Sequence, residues 1–238
     1  MRARPVLLAT LLVMAALGSG LSKALAGNAT VLFFVEYERG AAPRNTRVIV
    51  TSKFIRIDDG EDAGDFLLFD RAKRSIFVTN SLDKRILMIN ARPVELPLPA
   101  PFENRTEKGG ESYPEVAGRE VIHYRLFTNN EKCFDVYAAA GLLTDAQQAL
   151  KEYRQALAGE HAITAQYTPT ELRSACDLAN NIFLPARHLE FGFPVRQQDM
   201  AGARRQLLDY KTGVDVAPEL FALPRDYRRF TLNDMRVR

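Results

Sequence analysis

Residues 65–90 read DFLLFDRAKRSIFVTNSLDKRILMIN, and this stretch decides the fold. Three short apolar runs, Phe66-Leu67-Leu68-Phe69, Ile76-Phe77-Val78 and Ile86-Leu87-Met88-Ile89, lie about ten residues apart. Between them stand polar turns, Asp70-Arg71-Ala72-Lys73 and Asn80-Ser81-Leu82-Asp83. Runs of this length with regular turn signals predict an antiparallel meander. The runs do not alternate apolar with polar, as a strand with one wet face would. Both faces therefore need cover. One is supplied by the domain's own core, and the other must come from helices, a ligand or a partner.

Working toward the N-terminus, Asp58-Asp59-Gly60 is a strong turn signal, because Asp and Gly adopt the backbone angles that a reversal needs. Strands are predicted before it over residues 31–38, 46–52 and 53–58. Further back, Arg2 and Arg4 precede the apolar run Val6 to Leu17, and small residues follow, ending Ala24-Leu25-Ala26. This charged, apolar, small-residue order predicts a secretory leader over residues 1–26, cleaved after Ala26. An uncleaved anchor is the competing reading, but the run falls short of the ~20 residues that a spanning helix needs. The expectation is an exported, soluble, periplasmic protein with no transmembrane segment once the leader is gone. Residues 27–238 then form one domain.

The leader also changes the charge argument. The chain has 32 Lys and Arg against 29 Asp and Glu. Arg2, Arg4 and Lys23 fall in the leader and no acid does, so the mature chain balances 29 bases with 29 acids. No overall field attracts nucleic acid, and no nucleic-acid partner is expected. The two cysteines, Cys133 and Cys176, read as one disulfide in an oxidising compartment, with two buried free thiols as the alternative.

Toward the C-terminus, residues 91–118 carry five prolines and Gly109-Gly110 and predict an irregular excursion, with Leu96 and Leu98 packing along a sheet edge. Strands resume over 120–129 and 132–138. Two helices follow, in an insertion over about 140–185. Thr144-Asp145-Ala146-Gln147 and Thr168-Pro169-Thr170-Glu171 both fit capping boxes. Ala146, Ala149, Leu150, Tyr153 and Leu157 form one apolar stripe. Leu172, Ala175, Cys176, Ala179 and Phe183 share a face of the second predicted helix. Strands return at 188–197 and 203–211, and Phe221, Leu223 and Tyr227 anchor the tail. The fold class is mainly β (α+β).

The order of these pieces resembles exported bacterial proteins of the lipoprotein-carrier (LolA-like) superfamily. The residues carrying the resemblance are Ser52 to Asp58, Asp65 to Asp70, Ser75 to Asn80, Val116 to Glu120, Gly192 to Val195 and Glu219 to Tyr227. The resemblance implies a curved antiparallel half-barrel with two helices inserted as a lid, and a cavity able to hold a lipid or a lipoprotein acyl chain. Candidate ligand-lining residues are Phe54, Phe66, Leu68, Phe77 and Met88 on the strands, with Tyr153 and Leu157 on the first helix. Plain core filling is the competing reading of these aromatic and apolar residues. An envelope scaffold that covers its second apolar face with a partner protein is the alternative function.

Catalytic and metal chemistry find no support in the pattern. His123, His161 and His188 lack neighbours at ligand spacing, so no metal site is expected. The acidic run Asp58 to Asp62 lacks the ligand order of a calcium loop and reads as a solvated turn. Gly109-Gly110 has no strand-to-helix context, and no nucleophile-elbow pattern occurs. The expectation is a non-enzymatic protein without a cofactor.

Overall fold

The computed structural model describes residues 27–236, so the predicted leader lies outside the described residues. Twelve strands form one sheet: β1 (Gly27–Tyr37), β2 (Arg44–Val50), β3 (Phe54–Asp58), β4 (Leu67–Asp70), β5 (Ser75–Asn80), β6 (Arg85–Asn90), β7 (Asn104–Lys108), β8 (Val121–Thr128), β9 (Glu131–Ala139), β10 (Phe193–Asp199), β11 (Arg204–Val216) and β12 (Arg228–Thr231). Their spatial order is β12-β6-β5-β4-β3-β2-β1-β11-β10-β9-β8-β7, with free edges at β12 and β7. The sheet is open and mixed, a mainly β half-barrel with helices packed against it. Among the described residues three α-helices accompany it: α1 (Thr144–Gln166), α2 (Ala175–Leu178) and α3 (Leu232–Arg236).

The meander forms where its turns demand it. Asp58 accepts a hydrogen bond from the Gly60 N–H at 3.0 Å, and Gly60 takes φ +105°, a region that favours glycine. Asp70 accepts from the Lys73 N–H at 3.0 Å and Asn80 from the Asp83 N–H at 2.8 Å. These side chains replace backbone partners at the reversals, which is why Asp and Asn stand there.

Strand register then sorts the side chains. Ile55 pairs with Phe69 and Phe69 with Ile76, so these three share a face. They join Leu32, Val48 and Val50 in a core that packs against Ala146, Ala149, Leu150 and Ala156 of α1. The alanines let the helix approach closely, and Tyr153 meets Phe69 edge-on at 5.8 Å. The opposite face carries Arg56, Leu68, Phe77 and Met88, which lie in one cross-strand row. Over β1–β3 that outer face is closed by the chain's own tail: Leu220 and Phe221 pack with Val31 and Ile49, and Phe221 stacks on Phe54 at 5.5 Å.

Several expectations need correction. The sheet is not wholly antiparallel, because β12 runs parallel to β6. Residues 104–108 of the irregular excursion form β7, paired antiparallel to β8. Leu96 packs on helical residues Ala162, Leu178 and Ile182 rather than on a sheet edge, and Leu98 is exposed. The reason is the path of the excursion, which leaves β6 and crosses α1 before reaching the far edge of the sheet. Arg92 passes so close that a side chain at Gly159 would collide with its carbonyl oxygen, and Arg92 pairs with Glu160 at 2.7 Å.

The helix caps also differ. α1 begins after Leu143 in a left-handed conformation, without a side-chain cap from Thr144. The second predicted helix is broken into a 3-10 turn (Thr170–Leu172), the four-residue α2 and a π turn (Ala179–Phe183). Its start is capped by Ser174, which accepts from the Asp177 N–H at 3.3 Å, and not by Thr168. Arginine side chains take carbonyls in this segment: Arg173 binds the Thr168 oxygen, and Arg154 binds those of Asn180 and Pro185. Leu172 is exposed, whereas Cys176 is buried and bonded to Cys133, with the Cα atoms 5.1 Å apart. Cys133 sits at a register irregularity between β8 and β9. His188 belongs to a 3-10 turn, and β10 starts only at Phe193.

Candidate functional site

Between the sheet and the helices lies a cavity of about 680 Å³, partly open to solvent. That volume falls inside the range of small-molecule sites. β1 and β10 supply Phe34 and Phe193, whose rings stack at 6.4 Å, and α1 supplies Leu150 and Tyr153. Phe134 of β9 and Leu189 close the apolar wall on the α2 side.

The candidate residues distribute unequally. Phe66 and Tyr153 line the cavity. Leu157 packs in the core around α1. Phe54, Leu68, Phe77 and Met88 sit on the outer face, where the two-residue period of a strand places them beside Arg56. Phe54 is occupied by Phe221, and Leu68 is buried, while Phe77 and Met88 remain partly exposed.

The cavity also holds charge that sequence reasoning did not single out. Arg154 and Arg205 both line it. The Arg154 guanidinium donates to the Pro185 carbonyl at 3.3 Å, the Asn180 carbonyl at 3.1 Å and the Asn181 side-chain oxygen at 3.0 Å. All three acceptors are neutral. Burial lowers the Arg154 pKa. Arg205 lies over the Phe34 ring at 3.9 Å with its Nε 3.3 Å from Glu36. Burial lowers its pKa as well, against the raising effect of Glu36. A signal for Arg154 exists in the sequence: it stands four residues after Leu150, on the edge of the apolar stripe.

His188 completes this region. It is 6% exposed, stacks on Phe134 at 5.5 Å, and its Nδ1 has no hydrogen-bond partner. Burial, reinforced by Arg154, Arg205 and Arg187, pushes its pKa down to about 3. The imidazole is therefore neutral across the physiological range.

On the outer face a second polar cluster has a structural task. Asp58 accepts from the Arg56 Nε at 2.5 Å and from Arg47 at 2.8 and 2.9 Å. Arg56 also binds the Leu220 carbonyl at 2.5 Å and the Asp62 carbonyl at 2.9 Å. It lies 4.0 Å from the centre of the Phe66 ring. One guanidinium thus joins the β3–β4 turn, the sheet and the C-terminal segment.

Among the described residues, no group of three His, Cys, Asp or Glu side chains is placed to hold a metal ion. No helix among them is long and apolar enough to cross a membrane.

No family model matches the chain, and no curated protein matches it. Solved structures do. An uncharacterized conserved protein from Thermus thermophilus aligns at TM-score 0.44 with 10% identity, covering 86% of this chain and 91% of that one. MucB aligns at TM-score 0.38 with 11% identity, over 87% of this chain and 61% of its own. A LolA superfamily protein from Nitrosomonas europaea aligns at TM-score 0.30 with 11% identity, over 84% and 91%.

Proposed function

We propose that the chain is an exported, periplasmic binding protein, without catalytic activity, that encloses the apolar part of a ligand such as an acyl chain. The observation that carries this reading is the cavity of about 680 Å³ with its wall of Phe34, Leu150, Tyr153 and Phe193. A packed core leaves few voids larger than a water molecule, so an opening of this size between sheet and helices supports a binding site over a packing defect. The leader expected over residues 1–26 and the Cys133–Cys176 disulfide support an oxidising compartment.

The test has two arms. Purified protein is extracted with organic solvent and the extract examined by mass spectrometry. The protein is also titrated with Nile red, a neutral apolar dye whose fluorescence rises on burial. Saturable dye binding displaced by hexadecanol is expected, and Leu150→Arg should abolish it. An extract free of lipid together with no saturable dye binding overturns the reading.

A second reading rests on the outer face. Phe77 and Met88 stay partly exposed on neighbouring strands, and exposed apolar surface marks interfaces. In this reading the protein is an envelope scaffold that covers the face with a partner. Light scattering on protein purified from its host tests it: a monodisperse monomer with nothing co-purifying counts against it.

A further inference from the structure

Which ligand the cavity takes, on the binding-protein reading above, depends on the charges that line it. Seven acidic residues contribute to the lining: Glu36, Glu38, Asp58, Asp59, Asp65, Asp177 and Asp199. Glu38, Asp59, Asp65 and Asp177 are exposed at the rim. Asp58 is taken by Arg47 and Arg56, and Asp199 accepts from the Ala203 N–H at 2.9 Å. Glu36 is shared between Arg44 at 2.8 Å and Arg205 at 3.3 Å.

Of the lining arginines without a carboxylate partner, Arg204 lies over the Tyr37 ring at 3.9 Å, and Arg154 is the other. Among the described residues no carboxylate lies within ion-pair distance of it, and its three partners are neutral oxygens. A guanidinium cannot shed its charge at neutral pH. Arg154 is half-buried, and partial withdrawal from water without a counter-charge costs free energy that neutral acceptors only partly return. The same region holds Arg205 and the unpartnered Nδ1 of His188. Arg154 is therefore left without a counter-charge and Arg205 shares one carboxylate with Arg44, while the other acids of the lining are exposed or already bonded.

We propose that the ligand is amphipathic, with its apolar body against Phe34, Leu150, Tyr153 and Phe193 and an anionic terminal group, carboxylate or phosphate, bound by Arg154 and Arg205. The planar fork of a guanidinium matches two oxygens of either group. Such an end group supplies the counter-charge that Arg154 lacks.

The test displaces Nile red from the purified protein with hexadecanol, hexadecanoate and hexadecyl phosphate, at low and high salt. At least one of the two anions is expected to bind about tenfold or more tightly than the alcohol, a difference of about 1.4 kcal/mol. Which anion leads distinguishes a free acid from a phosphate head group. In Arg154→Gln the preferred anion should fall to the affinity of the alcohol, and Arg154→Lys should restore part of the difference. Arg205→Gln, checked for folding by circular dichroism, gives a second reading should Arg154→Gln fail to fold. The comparison among ligands on the unsubstituted protein needs no variant. Equal binding of all three ligands overturns this proposal and leaves the binding-protein reading intact. An anion preference that survives in both glutamine variants overturns the assignment to these arginines. If none of the ligands and no dye binds, the binding-protein reading itself fails.

Discussion

Asp58→Asn is the most informative single change to the scaffold. The Asp58 side chain has no solvent exposure, and those of Arg56 and Arg47 are 2% and 15% exposed. One carboxylate accepts from both arginines and from the Gly60 N–H. Asparagine keeps the shape, removes the charge, and turns an N–H₂ toward groups that can only donate. Breaking a buried ion pair from one side costs about 3–5 kcal/mol, because the remaining charge is stranded. With a urea m-value of about 2 kcal/mol/M, the midpoint should fall by roughly 2 M. The damage should also be local. Arg56 holds the Leu220 carbonyl, so the segment after Phe221 should be cleaved faster in limited proteolysis. A pH dependence follows. Burial tends to raise the Asp58 pKa, but the hydrogen bonds from Arg47 and Arg56 outweigh it, and the folded value lies below the ordinary one. The stability this group contributes is fully present above pH ~4 and is lost as pH falls through the lower folded value. Asp58→Asn should flatten that acid limb. A midpoint within about 0.3 M of the parent, with an unchanged m-value, would refute the claim that this carboxylate holds two buried cations together.

Three further outcomes are expected. Replacing Cys133 and Cys176 together with alanine opens a loop of 43 residues and should cost about 4 kcal/mol in urea denaturation; a loss under ~1 kcal/mol contradicts this. His188 has a folded pKa near 3, depressed by burial, so its contribution is present above pH ~6.5 and is lost as pH falls toward 3. His188→Gln should remove up to about 1.4 kcal/mol per pH unit of that slope between about pH 6 and 4.5, and an unaltered slope counts against a buried neutral imidazole. Gly192 has φ +128°, and a side chain there would meet the Ala139 carbonyl oxygen at 2.5 Å, so Gly192→Ala should lower stability by at least about 2 kcal/mol by thermal melting.

The meander was legible because its information is local: each reversal carries its own Asp, Asn or Gly, and each strand its own apolar run. β7 was not. Its sequence Asn104-Arg105-Thr106-Glu107-Lys108 is polar and mostly exposed, since an edge strand needs pairing on one side only and no buried face. The break in the second helix was hidden for a different reason. Thr168-Pro169-Thr170-Glu171 is a sound local start signal, yet Arg154 and Arg173 reach carbonyls of that segment from outside it or across it. The doubly apolar strands β4–β6 bury one face against α1, while their outer face leaves Phe77 and Met88 partly exposed. Local sequence did not say that Leu220 and Phe221, over 150 residues later, cover β1–β3. For the cavity, Phe66 and Tyr153 were among the expected lining residues, whereas no local pattern singled out Arg154 and Arg205.

The existence of the cavity follows from a mismatch of widths. Twelve strands spaced ~4.8 Å apart make a sheet about 50 Å across, and curling it creates a trough that one helix about 10 Å wide cannot fill. α1 takes the part under β1–β5, where its alanines allow close packing. Over β8 and β9 the gap passes to the broken segment 170–189, which is too short and too irregular to fill it by itself. The disulfide to β9, with its Cα atoms 5.1 Å apart, and the bond from Arg187 to the Phe127 carbonyl fix that segment against the sheet at β8 and β9, while Arg154 ties its other side to α1. A guanidinium spanning from α1 to the carbonyls of Asn180 and Pro185 works both as a strut that fixes this segment to α1 and as a charge that the space presents. Removing Arg154 should therefore alter the size of the cavity as well as its charge preference, and only the second effect distinguishes a ligand contact from a strut.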